Sequence, residues 1–161
     1  MNITQHTDYA LRLLIYLGAN PDRRVTIKEV AERFEISRSH LMKVVNELVT
    51  EGFVDGARGK GGGLRLARPP QQIVLGDVVR RMEPGFELVE CFRENSRCLL
   101  NSGCQLKNAL QNALQAFLGA LDAVTLADLI LPQSNARRLL GIVEIKPHAA
   151  TRISAPRGMA D

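Results

Sequence analysis

Cys91, Cys98 and Cys104 lie within fourteen positions and are the only cysteines in the chain. Six residues separate the first pair and five the second. An isolated cysteine is ordinarily a small buried hydrophobe. Three gathered in one stretch with Gly103, Asn95, Asn101, Ser96 and Ser102 point to shared chemistry. Thiolates are soft ligands that select iron–sulfur clusters, zinc or copper(I). Zinc sites usually use cysteine pairs two to four residues apart, and no such pair is present. Iron–sulfur clusters accept wider spacing but want four ligands, so spacing favours a cluster and leaves one ligand to be found. Asp8, Glu87, Glu90, Glu94 or an exogenous ligand are the candidates. His6 and His40 lie in a different part of the chain.

The bulk properties bound the setting. The chain has 161 residues, enough for one domain with an appendage, and 45% of them are hydrophobic. Lys and Arg number 21 against 17 Asp and Glu, which permits an anionic partner without requiring one. No apolar run is long enough to span a bilayer. Asp8 and Arg12 interrupt the one N-terminal stretch that resembles a signal peptide. A cytoplasmic protein is expected, and three cysteines there do not form a disulfide framework.

The elements before the cysteines read as a nucleic-acid reader. Residues 5–19 form an apolar helix with Asp8 in its first turn, where a carboxylate suits the helix dipole. Thr26 opens a second helix, with Glu29 placed for a reciprocal capping box. Ile27, Val30, Ala31 and Phe34 form its inner face. Ser37 caps a third helix from Arg38 to about Thr50. Leu41, Val44, Val45 and Leu48 face inward. Ser39, Lys43, Asn46, Glu47 and Thr50 face away, with Arg38 and His40 at the N-terminal end. This is the outline of a helix-turn-helix. Residues 53–57 and 63–67 then read as two strands around the basic, glycine-rich tip Arg58-Gly59-Lys60-Gly61-Gly62. Such a tip is commonly just a solvated turn. Directly after a helix-turn-helix it reads as a wing, with charge from Arg58, Lys60 and Arg65.

Arg68-Pro69-Pro70 is a rigid connector, and Leu75 to Met82 forms a fourth helix. Residues 85–103 have no sustained periodicity, and loops of that length are usually functional or disordered. From Cys104 a longer helix carries Leu106, Leu110, Ala113, Leu114, Phe117, Leu118 and Leu121 at helical spacing. That stripe wants either the core or a second subunit. Thr125 caps a last helix, Leu126 to Leu131. Pro132, Pro147 and Pro156 mark the remainder as a mobile tail. The expected fold is mainly α with a small β-hairpin: a winged helix-turn-helix plus a long dimerisation helix. Residues 1–131 form the regulator domain, divided into a DNA-binding part (1–83), a cluster-binding loop (84–104) and dimerisation helices (104–131). Residues 132–161 form the tail.

Several stretches resemble one family in order along residues 1–131. They are Thr7-Asp8-Tyr9-Ala10-Leu11-Arg12, Ser37-Arg38-Ser39-His40-Leu41-Met42-Lys43-Val44-Val45, and the wing from Arg58 to Leu66. Leu88-Val89-Glu90-Cys91-Phe92, the three cysteines and Thr125-Leu126-Ala127-Asp128-Leu129 complete the match. The chain resembles the Rrf2 family of winged-helix regulators, and its nitric-oxide-sensing branch in particular.

That resemblance implies roles residue by residue. Cys91, Cys98 and Cys104 match the cluster cysteines. Asp8 matches an aspartate that, in some members, completes a 4Fe–4S cluster from the other subunit. A second branch uses a histidine three residues after the last cysteine, where this chain has Lys107. The resemblance favours 4Fe–4S over 2Fe–2S. It implies a homodimeric repressor that binds an imperfectly palindromic double-stranded operator and senses nitric oxide, with no membrane partner. Iron or cluster-status sensing is the alternative within the family. Arg38, Ser39, His40 and Lys43 are expected in the major groove, and Arg58, Lys60, Gly61 and Gly62 along the minor groove or backbone. Thr26 and Ser37 complete the DNA-facing set at the helix starts. Two other classes compete: a metal-free thiol redox regulator, and an enzyme. The chain shows no nucleophile–base arrangement, and its wing lacks the Lys-Ser/Thr ending of a P-loop.

Overall fold

The computed structural model describes residues 2–59, 61–93, 96–98 and 103–130. The expected tail 132–161, Lys60, Glu94 and Leu131 lie outside the described residues. Among the described residues, six α-helices and one hairpin follow in the order α1 (Gln5–Gly18), α2 (Ile27–Phe34), α3 (Arg38–Thr50), β1 (Val54–Ala57), β2 (Gly63–Leu66), α4 (Leu75–Met82), α5 (Gln105–Asp122) and α6 (Leu126–Leu129).

Helix α1 is the centre of the packing. Ala10, Leu13, Leu14 and Leu17 are buried on it and meet α3, α4, α6 and β2. Its start is held by Glu83, whose Oε1 accepts from the Thr4 backbone N–H at 2.8 Å and from the Thr4 hydroxyl at 3.1 Å. Glu83 directly follows α4, so one carboxylate joins the root of the cysteine loop to the start of α1.

Thr26 caps α2 as its side chain accepts from the Glu29 N–H at 3.2 Å. The reciprocal half of the expected capping box does not form. Glu29 instead accepts from Tyr16 Oη at 2.7 Å and from Arg23 Nη1 at 2.9 Å. A carboxylate gains more from a cation than from a second amide, so Arg23 wins. The same contact, chiefly the Arg23 hydrogen bond, holds the Glu29 carboxyl below its ordinary value of 4.5. A depressed carboxyl contributes stability above its unfolded-state value, and that contribution is lost as pH falls through the lower folded value. We therefore expect stability to fall as pH drops below about 4.5, and Glu29→Gln to flatten that acid limb in thermal denaturation at pH 7 down to pH 3.

Helix α2 ends at Glu35 in the left-handed conformation (φ 55°), and the Ile36 N–H reaches back to the Ala31 carbonyl at 3.0 Å. This closes the helix end and turns the chain sharply into α3. Ser37 caps α3 by accepting from the His40 N–H at 3.3 Å. The hairpin pairs antiparallel from Val54↔Leu66 to Ala57↔Gly63. A further rung joins Val25 to Leu64, with N–H···O distances of 2.9 and 2.8 Å, and docks the wing against the approach to α2. Phe53, fully buried below the hairpin, carries the Arg68 guanidinium 4.7 Å from its ring centre.

Helix α5 is tied to this body at its C-terminal end. Leu75 N–H donates to the Val124 carbonyl at 3.0 Å and Leu126 N–H to the Ile73 carbonyl at 2.8 Å. Arg80 grips both Asp122 carboxylate oxygens at 2.6 Å. Gly76 makes room for that grip, since a β-carbon there would sit 1.9 Å from Asp122 Oδ1. Gly76→Ala is expected to push the exposed Asp122 carboxylate aside and loosen the Arg80 grip while leaving the urea-denaturation midpoint close to wild type, because both groups are movable side-chain ends at the surface. Helix α6 starts at a capping box in which Asp128 accepts from the Thr125 N–H at 2.8 Å and hydroxyl at 2.7 Å. Within the described residues it ends at Leu129, short of the expected Leu131.

Only part of the α5 stripe is covered in the single chain. Leu114 and Leu118 are buried, while Leu106 is 65% exposed and Leu110, Phe117 and Leu121 are half-buried. Among the described residues no helix is long and apolar enough to cross a membrane.

Candidate functional site

Helix α3 presents two faces of opposite chemistry. Leu41, Val44, Val45 and Leu48 are buried against the domain. Arg38, Ser39, Met42, Lys43, Asn46 and Thr50 are exposed on the other side. Arg38 and Lys43 make no ion pair among the described residues, so both cations are available to an external anion. Ser37 and Thr26 are exposed at the starts of α3 and α2, their hydroxyls already engaged in capping.

His40, expected to reach the major groove, is partly exposed and its ring packs toward α1. Its ring meets Tyr9 edge-on at 5.0 Å and stacks near His6 at 6.1 Å. His6 Nε2 in turn lies 2.6 Å from Glu47 Oε2. His40 and Glu47 therefore form the flank of α3 that abuts α1. The sequence pattern placed Glu47 on the outer face because helical spacing alone does not say where a neighbouring helix ends.

The wing tip is closed by its glycines. Gly62 N–H donates to the Gly59 carbonyl at 2.9 Å, and a β-carbon on Gly62 would lie 2.4 Å from the Ala57 carbonyl oxygen. Turn geometry therefore demands this glycine, whatever the tip touches. Arg58 and Gly61 are exposed beside it. Arg65, expected to lend charge to the wing, is paired there: its Nε donates to Asp55 Oδ2 at 2.8 Å. Arg24 donates to the same oxygen at 3.1 Å and to the Gly63 carbonyl at 3.0 Å. Arg65 first and Arg24 second hold the Asp55 carboxyl below its ordinary range. One carboxylate thus orients two guanidiniums and leaves the cluster net positive. No sequence signal paired Arg24 with Asp55 across the hairpin.

The cysteines sit on the connection from α4 to α5. Cys91 lies in a short 3₁₀ turn, Glu90–Phe92. The Cys98 N–H donates to Ser96 Oγ at 3.3 Å. Cys104 is the residue from which α5 starts. All three are free thiols of intermediate burial. Cys104 occupies the positive end of the α5 dipole, a place that suits an anionic group.

The fourth-ligand candidates are distributed differently. Asp8 is on α1, paired with Arg12 at 2.7 and 3.0 Å. Glu87 faces Arg93 at 3.5 Å, and Glu90 is exposed. Among the described residues, no group of three or more His, Cys, Asp or Glu side chains could hold a single metal ion. A multi-iron cluster has a different requirement, because each iron takes its own protein ligand. Three accessible thiols on one short segment fit that donor set, and they leave one ligand to come from elsewhere. Beside the loop a cavity of about 420 Å³ opens between Ile3, Phe86, Val89, Leu110 and Phe117, with Glu83 and Glu87 at its edge.

Comparison with known proteins agrees with this architecture. Residues 3–132 match the family described as Rrf2, iron-dependent transcriptional regulator. The chain is 46% identical over 142 residues to the HTH-type transcriptional regulator NsrR of Bacillus licheniformis, covering 87% of this chain and 99% of that protein. It is 44% identical over 146 residues to the NsrR of Bacillus subtilis, covering 89% and 100%. Among solved structures, CymR, the global cysteine regulator of B. subtilis, superposes with a TM-score of 0.67 at 27% identity, covering 81% of this chain and 96% of that one. The T. potens IscR structure shares the fold, with a TM-score of 0.67 at 24% identity over 86% and 90% of the two chains. The chain belongs to the Rrf2 family of transcriptional regulators.

Proposed function

We propose that this protein is a cytoplasmic, homodimeric DNA-binding repressor that carries an iron–sulfur cluster and releases its operator in response to nitric oxide. The observation that carries this reading is the joint placement of three free, accessible thiols on the segment that links the reader to the long helix. Similarity to regulators named NsrR supports it. When bound, the cluster supplies irons that react with nitric oxide. Cys91, Cys98 and Cys104 would hold it, and Asp8 of the partner subunit would supply the fourth ligand. Four ligands suit either cluster type; the preference for 4Fe–4S over 2Fe–2S rests on the likeness to the nitric-oxide-sensing branch.

The chain's own residues give a path from loop to reader. Glu83 joins the loop's root to Thr4 at the start of α1. Helix α1 meets α3 through Tyr9, His6, His40 and Glu47. A change in the loop is thereby passed to α3 through packed contacts. The uncovered apolar residues of α5, Leu106 in particular, support pairing with a two-fold mate, and such symmetry implies a palindromic operator. Arg38, Ser39 and Lys43 face the major groove in this arrangement, and Arg58, Gly61 and Gly62 the neighbouring backbone. Lys60 at the same tip would add a further phosphate contact.

The family description, iron-dependent, favours one second reading, in which cluster or iron status is itself the signal. The two separate in a titration of cluster-loaded protein with nitric oxide under constant iron. Asp8 tests the ligand set. A carboxylate is a harder and weaker ligand to iron than a thiolate. Asp8→Ala is expected to keep the fold, shift the visible spectrum and make the cluster more labile. Asp8→Cys should keep a cluster and slow its reaction with nitric oxide. A wild-type spectrum and nitrosylation rate for Asp8→Ala would return Asp8 to a helix-start residue paired with Arg12, with Glu87, Glu90 or an exogenous ligand in its place.

A further inference from the structure

Four large apolar side chains are exposed among the described residues: Ile3, Met42, Val49 and Leu106. Ile3 lines the cavity beside the cysteine loop. Leu106 begins the partly uncovered stripe of α5. Val49 leans on the hairpin, its γ-carbon 3.9 Å from where a β-carbon on Gly56 would lie. Met42 is different. It is 50% exposed in the middle of the outward face of α3.

Its neighbours define a row. Arg38, Met42 and Asn46 are spaced four residues apart, so they align along one side of the helix. All three are exposed. No hydrogen bond among the described residues engages the Asn46 side-chain amide, and no ion pair engages Arg38. The row thus offers a cation, an apolar tip and an amide in sequence, with no side-chain hydrogen bond or ion pair to any of them among the described residues. Successive members are about 6 Å apart along the helix axis, close to the span of two base pairs.

We propose that Met42 is a specificity-determining residue that reads a thymine through its 5-methyl group. This rests on α3 being the DNA-reading helix. The thymine methyl is the one apolar feature that base edges display in the major groove. An unbranched, polarisable thioether matches it well, because it adapts its shape to a small apolar knob. A solvated position would gain nothing from methionine, and a core position would not leave it half in water. Burying one methyl-sized group is worth about 0.8 kcal/mol, or about fourfold in affinity at 1.4 kcal/mol per tenfold.

The test uses full-length, anaerobically purified protein and operator sequences that it enriches from random duplexes. Each thymine of the enriched site is replaced in turn by deoxyuridine, which removes only the 5-methyl group. At one thymine per half-site, wild-type affinity should fall about fourfold on replacement. The same replacement should leave the affinity of Met42→Ala unmoved, while Met42→Leu keeps part of the discrimination. Alanine is a strong helix former, so α3 persists, as circular dichroism would verify. The proposal is overturned if every replacement acts equally on wild type and Met42→Ala. Should no sequence be enriched, α3 is not a sequence reader, and the proposed function fails with it.

Discussion

Serine in place of any one of Cys91, Cys98 or Cys104 is expected to abolish the iron chromophore of anaerobically isolated protein. The hydroxyl of serine is a harder and far weaker iron ligand than a thiolate. Three cysteines already leave one ligand position to another group, so a further loss takes the set below what a cluster needs. The fold should survive, because none of the three belongs to the buried core. Far-ultraviolet circular dichroism and the thermal midpoint should therefore stay close to wild type while iron and acid-labile sulfide fall to background. A variant lacking all three cysteines that still bound iron and sulfide at wild-type levels would remove the basis for the cluster.

Arg38→Ala and Arg58→Ala should separate two kinds of DNA contact. Arg38 is exposed at the first position of α3, without an ion pair among the described residues, where recognition helices meet base edges. Its loss is expected to cost about 1–3 kcal/mol on the operator and to relax preference at one position of each half-site. Arg58 is exposed at the wing tip. Its loss should weaken binding to all sequences alike and lower the salt slope by about 1 for each phosphate contact removed. Fluorescence anisotropy over a range of salt concentrations distinguishes the two. Unchanged affinity in both variants would count against the winged-helix reading.

The reader was legible in the sequence because its signals are local. Thr26, Ser37 and Thr125 mark helix starts, and the buried positions of α3 match the apolar spacing. The wing was legible from its glycines between short apolar runs. The cysteines stood out by type and spacing. What was not legible depends on contacts between distant segments. Val25 pairs with Leu64 across 39 positions of chain, and Glu83 holds Thr4 across 79. Neither contact has a periodic trace. His40 shows the same limit: its place in α3 was evident, but its direction depends on Tyr9 and His6 of α1. Glu29 was assigned to Thr26 because spacing favours that partner, whereas the fold brings up Arg23. Met42 was visible as a residue of the third helix, yet its exposure was not, since methionine is as common in cores as on recognition surfaces.

If the state of the cysteine loop controls DNA binding, cluster loss and operator release must coincide. Cluster-loaded protein titrated with nitric oxide under anaerobic conditions, with visible absorbance and operator anisotropy recorded on one sample, reads both. The chromophore should decay and the operator be released over the same equivalents of nitric oxide, with both responses lost in Cys98→Ser. Full operator affinity persisting after the chromophore has been consumed would contradict that control.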